Sequence, residues 1–161
     1  MSTIYFVVKR SMAMNNKTHN VSRTVIVNHS AQTMFELVSD IDHYSHYLPW
    51  CTKSEIKNQY DNIVIGTIFI EYFKIKTSFV TKNINTPHDS IQMFLLEGPF
   101  EHLNGLWQFI PLGDKGCKII FNLDYKFSNQ VLEMLLSPVF NYICKTIVDC
   151  FIKQADIQHA R

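Results

Sequence analysis

No Cys-x-x-Cys pair, no Gly-x-Ser-x-Gly elbow, no phosphate-binding P-loop and no dinucleotide-binding glycine fingerprint occurs in this 161-residue chain. Its four cysteines, Cys51, Cys117, Cys144 and Cys150, match neither a zinc site nor a small disulfide scaffold. They read as free thiols of a reducing compartment, with Cys117 and Cys144 in the core. Charge of either sign in excess is also missing. A formal balance of +1 creates no general attraction to nucleic acid or anionic lipid, so DNA is not an expected partner. No stretch reaches the ~18 uncharged apolar residues of a membrane span. Acidic residues are absent before Glu36. Without a catalytic motif, binding is favoured over catalysis. The carboxylates Glu97 and Glu101 flank a turn and are expected to face water.

What is present is an ordinary globular composition, 47% hydrophobic and 18% charged, long enough for a single domain with its own core. Aromatics are plentiful: twelve Phe, seven Tyr and two Trp. Residues 1–19 read as a flexible extension outside the fold. Their Ile4–Val8 run is too short for a signal-peptide core and precedes Lys9-Arg10 instead of following a basic stretch. An extended start ahead of the domain explains them better than an organelle-targeting peptide. The domain then covers residues 20–161.

The last thirty residues organise the rest. Val131, Leu132, Leu135, Leu136, Val139, Phe140, Ile143, Ile147, Phe151 and Ala155 recur at helical spacing and predict a broad apolar face. Glu133, Asn141, Lys145, Asp149, Lys153 and Asp156 fall on the polar side. Pro138 predicts an interruption, with Ser137 capping a second helix that runs to about Gln158. Ahead of this lie a β-branched strand (Val21–Asn28), a helix (Ala31–Val38) capped by Ser30, and a short helical turn over Asp40–Tyr47 stopped by Pro49. Six strands are predicted at about 53–60, 63–74, 76–84, 90–96, 103–110 and 117–127. Turn residues divide them: Asp61-Asn62, Pro87-His88-Asp89, Gly98-Pro99 and Gly113–Gly116. In the last strand Cys117, Ile119, Phe121, Leu123, Tyr125 and Phe127 alternate with mostly polar residues, as one dry and one wet sheet face require. The predicted fold is α+β, a curved antiparallel sheet of about seven strands closed by one long helix, with room for a cavity between them.

Three ordered elements carry a resemblance: His43–Cys51 (HYSHYLPWC), then Gly98-Pro99-Phe100 with Leu103, Trp107 and Phe109, then Ser137-Pro138-Val139-Phe140. Together they resemble the coenzyme-Q-binding protein family and its ribosome association toxin branch, within the START-like, polyketide-cyclase-related superfamily. The similarity runs from about residue 20 to 158. It implies a helix-grip fold with a hydrophobic tunnel, ubiquinone or a related polyprenyl lipid as bound ligand without a further cofactor, and a role supporting respiration. For the toxin branch it implies contact with a ribosomal subunit that blocks subunit joining. A polyketide cyclase or dehydratase is a weaker alternative that nothing in the spacing supports. A cytoplasmic protein, peripheral to the inner membrane in one version of this reading, is the corresponding location.

On that resemblance the expected tunnel wall combines Leu103, Trp107 and Phe109 with Phe121, Leu123 and Tyr125 of the last strand and Phe140, Ile143 and Ile147 of the helix. Leu48, Pro49 and Trp50 are expected to gate it, with Trp50 and the neighbouring tyrosines at a membrane interface. The same residues would serve equally as plain core. His43 and His46, near Asp40, Asp42 and Cys51, have a spacing that can bring two imidazoles together, but ordinary capping accounts for the acids and no metal is expected.

Overall fold

The computed structural model describes residues 17–159; the proposed extension falls largely outside them. The elements are β1 (His19–Val27), α1 (Ala31–Ser39), a 3-10 turn (Ile41–His46), β2 (Cys51–Tyr60), β3 (Ile63–Tyr72), β4 (Ile75–Thr86), β5 (Ser90–Glu97), β6 (Phe100–Leu112), β7 (Gly116–Phe127) and α2 (Gln130–Gln158). The strands form one antiparallel sheet in the order β1-β7-β6-β5-β4-β3-β2. Six of them are a meander, because each is joined to the next by a short turn. Asp61, Phe73 and His88 turn with positive φ. Register shifts in β2, at Val80/Thr81 and at Phe100/His102 are bulges that bend their strands. They help to curve the sheet round α2.

Alternation along β7 is complete on the inner face: Cys117, Ile119, Phe121, Leu123, Tyr125 and Phe127 are all buried. The inner face of β6 carries Leu103, Trp107 and Phe109, also buried, while Ile110 on the opposite face is exposed. Gly105 sits on that inner face for a steric reason. A Cβ there would lie 2.2 Å from the Met93 methyl, so the missing side chain leaves room for a neighbour.

Three expectations need correction. First, β1 begins at His19, inside the segment assigned to the extension. His19 pairs with Tyr125 in the ladder, its ring stacks on the Tyr125 ring at 4.8 Å, and its Nε2 lies 2.7 Å from Glu133 Oε1. Second, α2 is one continuous helix through Pro138. Proline removes a single ladder bond, the one its amide would donate to Met134, while residues on both sides of it (Leu136, then Val139 and Phe140) stay buried. Ser137 caps nothing. Its hydroxyl donates back to the Glu133 carbonyl, and the N-cap is Asn129, whose side chain accepts from the Leu132 amide.

Third, the apolar face of α2 is narrower than predicted. Val131 and Leu135 are exposed, at 62% and 52%, whereas Glu133 is buried at 7%. The buried set is Leu136, Val139, Phe140, Ile143, Cys144, Val148, Phe151 and Ala155. Leu135 lies about 100° round the helix from Leu136, which turns it away from the sheet. Glu133 is drawn inward by His19, whose Nε2 its Oε1 meets at 2.7 Å.

Candidate ligand cavity

The interior is not filled everywhere. Between α2 and the concave face of β3–β7 lies a cavity whose empty volume, with the open solvent at its mouth included, is about 740 Å³. Trp107 and Phe121 form part of its wall, with ring centroids 4.2 Å apart, and Phe151 of α2 meets the Trp107 ring at right angles, 5.5 Å away. Phe140, Ile143, Cys144 and Ile147 face it from the helix, and Ile41 and Tyr44 close it from the 3-10 turn. Tyr44, Phe79, Met93 and Ile147 are the half-buried residues of the wall; the others are buried.

Of the residues named from the sequence, the wall includes Trp50, Leu103, Trp107, Phe121, Leu123, Phe140, Ile143 and Ile147. Four others are elsewhere. Leu48 is buried below the 3-10 turn, Pro49 is exposed, and Phe109 packs edge-on against Phe35 of α1 at 5.9 Å. Tyr125 is held between His19, Phe100 and Phe140. Trp50 is 3% exposed, which removes it from any membrane interface; its indole turns into the cavity instead. Tyr44 and Tyr47 are likewise drawn inward, donating their hydroxyls to the carbonyls of Val38 and Leu37.

Sequence reasoning missed Ile68 and Ile70 of β3, Phe79, Thr81 and Asn83 of β4, and Met93 of β5. The signal was available in β4, where Phe79, Thr81 and Asn83 share one face by strand alternation and Lys76, Ser78 and Lys82 share the other. Two polar residues on the apolar side of a strand are out of pattern.

No Asp, Glu, His, Lys or Arg lines the cavity. Its one thiol, Cys144, is pushed up to about 11 by burial, partly offset by a hydrogen bond with Tyr125 and is protonated at neutral pH. Burial also raises Tyr44 well above the ordinary phenol value. The wall is therefore largely apolar and uncharged, and it offers no group that changes protonation near pH 7. His43 and His46 lie outside it, with rings 5.2 Å apart and His43 Nδ1 bonded to Asp40 at 2.8 Å. Among the described residues no three His, Cys, Asp or Glu side chains gather into a metal-binding group.

A curved antiparallel sheet gripping one long carboxy-terminal helix over an apolar cavity defines a helix-grip, START-like protein. The model of the polyketide cyclase / dehydrase and lipid transport family matches residues 27–152. The ribosome association toxin RatA of Pseudomonas aeruginosa is 33% identical over 138 residues, covering 86% of this chain and 95% of that protein. The chain belongs to this family. It is also similar to the mitochondrial coenzyme Q-binding protein COQ10 homolog B of Xenopus laevis, 23% identical over 88% of this chain and 60% of the relative. Among solved structures, the Zhui aromatase/cyclase from Streptomyces sp. R1128 superposes with a TM-score of 0.74 over 90% of this chain and 97% of that one, at 16% identity. That likeness establishes the fold.

Proposed function

We propose that this protein is a non-catalytic carrier for ubiquinone or a related polyprenyl lipid, held in the cavity between α2 and the sheet. The observation that carries this reading is the wall itself, which is largely apolar and uncharged. Each methylene moved from water into such a cavity contributes about 0.8 kcal/mol, so a prenyl tail needs no polar motif to bind. The name of the Xenopus relative, a coenzyme Q-binding protein, supports the same ligand class. A cyclase is disfavoured because no acid or base faces the cavity. The carrier works in the cytoplasm and meets the membrane peripherally. Exposed Val131, Met134 and Leu135 on α2 and Phe73 in the β3–β4 turn, at 86% exposure, supply apolar surface for that contact in place of Trp50.

Binding to a ribosomal subunit is the second reading, favoured by the RatA relative. The lysines of this edge of the sheet, Lys53, Lys57, Lys74, Lys76 and Lys82, lie on β2, β4 and the turn between β3 and β4. They are interleaved with acids: Lys53 is 3.5 Å from Glu55 and Lys76 is 3.7 Å from Glu71. This mixed surface is not the unbroken basic patch that phosphate binding favours. Mass spectrometry of the organic extract from purified protein tests the carrier, with a near-stoichiometric prenylated quinone as the expected result. An empty protein that neither binds added quinone nor moves it between vesicles, yet co-sediments with ribosomal subunits in a salt-sensitive manner, would replace the first reading with the second.

A further inference from the structure

Asn83 is 5% exposed, lines the cavity, and its Oδ1 is buried without a hydrogen-bond partner. Thr81, also 5% exposed, lines the same cavity two residues earlier on the same face of β4. An uncompensated amide oxygen in an apolar cavity is destabilising, and buried polar groups in folded proteins are nearly always paired. The other cavity-lining orphan, Trp50 Nε1, belongs to a residue at a different level of the sheet. Cys51 pairs with Ile70 and Asn83 with Val64, six positions apart along β3, or roughly 20 Å of strand. Asn83 and Thr81 are thus a polar pair on a wall whose other polar groups are on Tyr44, Trp50 and Cys144.

We infer that Asn83, assisted by Thr81, is the head-group site of the cavity, and that it selects a neutral ring bearing at least one hydroxyl, such as a hydroquinone or a phenol. The inference rests on the carrier reading and adds the identity of the head. An orphan acceptor calls for a donor, which a hydroxyl supplies and a fully oxidised quinone carbonyl does not. The Thr81 hydroxyl can donate to or accept from the same ring. Charged heads are excluded on the same ground: with no Lys, Arg or His on the wall, a phosphate, diphosphate or carboxylate would be buried unpaired. The reduced form of a prenylated quinone satisfies the Asn83 acceptor; its oxidised form can accept from the Asn83 NH2 or the Thr81 hydroxyl but leaves Oδ1 unpaired and binds more weakly, and phosphorylated prenyl precursors and ionised fatty acids are excluded by charge.

The test uses the full chain and four probes: decyl-hydroquinone kept reduced anaerobically, the matching decyl-quinone, decylbenzene, and decanoate. Near-isosteric Asn83→Leu and Thr81→Val remove polarity with little change of volume. Wild type is expected to bind the hydroquinone at least about tenfold more tightly than the quinone, the worth of one hydrogen bond of ~1.4 kcal/mol, and decanoate most weakly. Asn83→Leu should abolish that preference and leave decylbenzene affinity unchanged. The ligand-free Asn83→Leu protein should also melt higher, by about 2–4 °C, since an unpaired buried amide is gone. Equal wild-type affinity for hydroquinone and quinone, or an Asn83→Leu protein that melts lower and weakens decylbenzene equally, would overturn the head-group assignment while leaving a carrier. Failure of wild type to bind any of the three uncharged probes would instead overturn the carrier reading and this inference with it.

Discussion

Trp107 offers the most direct probe of the cavity. Its indole is 2% exposed and is held from three elements: Phe109 of its own strand at 6.3 Å, Phe121 of β7 at 4.2 Å and Phe151 of α2 at 5.5 Å. Because those neighbours belong to separate rigid elements, a truncated site cannot collapse to fill the void. Trp107→Ala should therefore fall in the upper part of the ~3–5 kcal/mol range for deleting a buried tryptophan. Against a total stability of about 5–15 kcal/mol, that loss would confuse unfolding with weakened binding. Trp107→Phe keeps an aromatic ring in the slot and should cost roughly 1 kcal/mol. If a quinone ring or isoprenoid tail packs on the indole, the contact is worth about 0.5–1.5 kcal/mol, so affinity should fall by about 2- to 10-fold. The assay is quinone titration of Trp107 emission in a Trp50→Phe background. Since Trp50 also lines the cavity, the affinity of that background must be measured first. Quenching that saturates at one ligand per protein is expected. A folded Trp107→Phe protein with unchanged affinity, together with unaltered Trp107 emission on titration, would refute the lining role and return Trp107 to the core.

Pro138→Ala should stabilise the protein by about 2 kcal/mol, because alanine restores the bond to Met134 and removes a penalty of ~3 kcal/mol, less the proline's entropic benefit in the unfolded chain. Urea denaturation reads this directly, and a loss of stability would mean that the proline's local distortion is itself needed for packing. Alkaline pH supplies a second check. Burial holds the Cys117 and Cys144 thiols up at about 11, against an ordinary value of 9.0. The unfolded chain therefore loses these protons first and binds fewer of them between pH 9 and 11, so stability should be level below pH 9 and fall above it. Burial raises Tyr44, Tyr47 and Tyr125 in the same direction. Replacing both thiols by valine should flatten part of the decline in urea midpoint, whereas an unchanged slope would show that the thiols do not contribute.

Local pattern alone specified the strands, their turns and the terminal helix, because alternation in β7 and the three- and four-residue steps of α2 record which side of each element must leave water. It also placed Trp107, Phe121 and Phe140 on inward faces. Periodicity does not say how wide the covered arc will be, so Val131 and Leu135 read as core although only the helix's placement against the sheet decides that they face solvent. Glu133 illustrates the converse. Its burial depends on His19, 114 residues away, and no local pattern carries a partner at that distance. Pro138 broke the expected helix on propensity, but packing on both sides of it outweighs one missing hydrogen bond. Trp50 looked like a surface anchor beside a helix stop until the folding of the 3-10 turn over β2 and β3 put it inside. Asn83 shows the difference most plainly: in the sequence it is one polar residue in a strand, and only the closing of α2 over the concave sheet turns it into an unpaired amide in a largely apolar cavity.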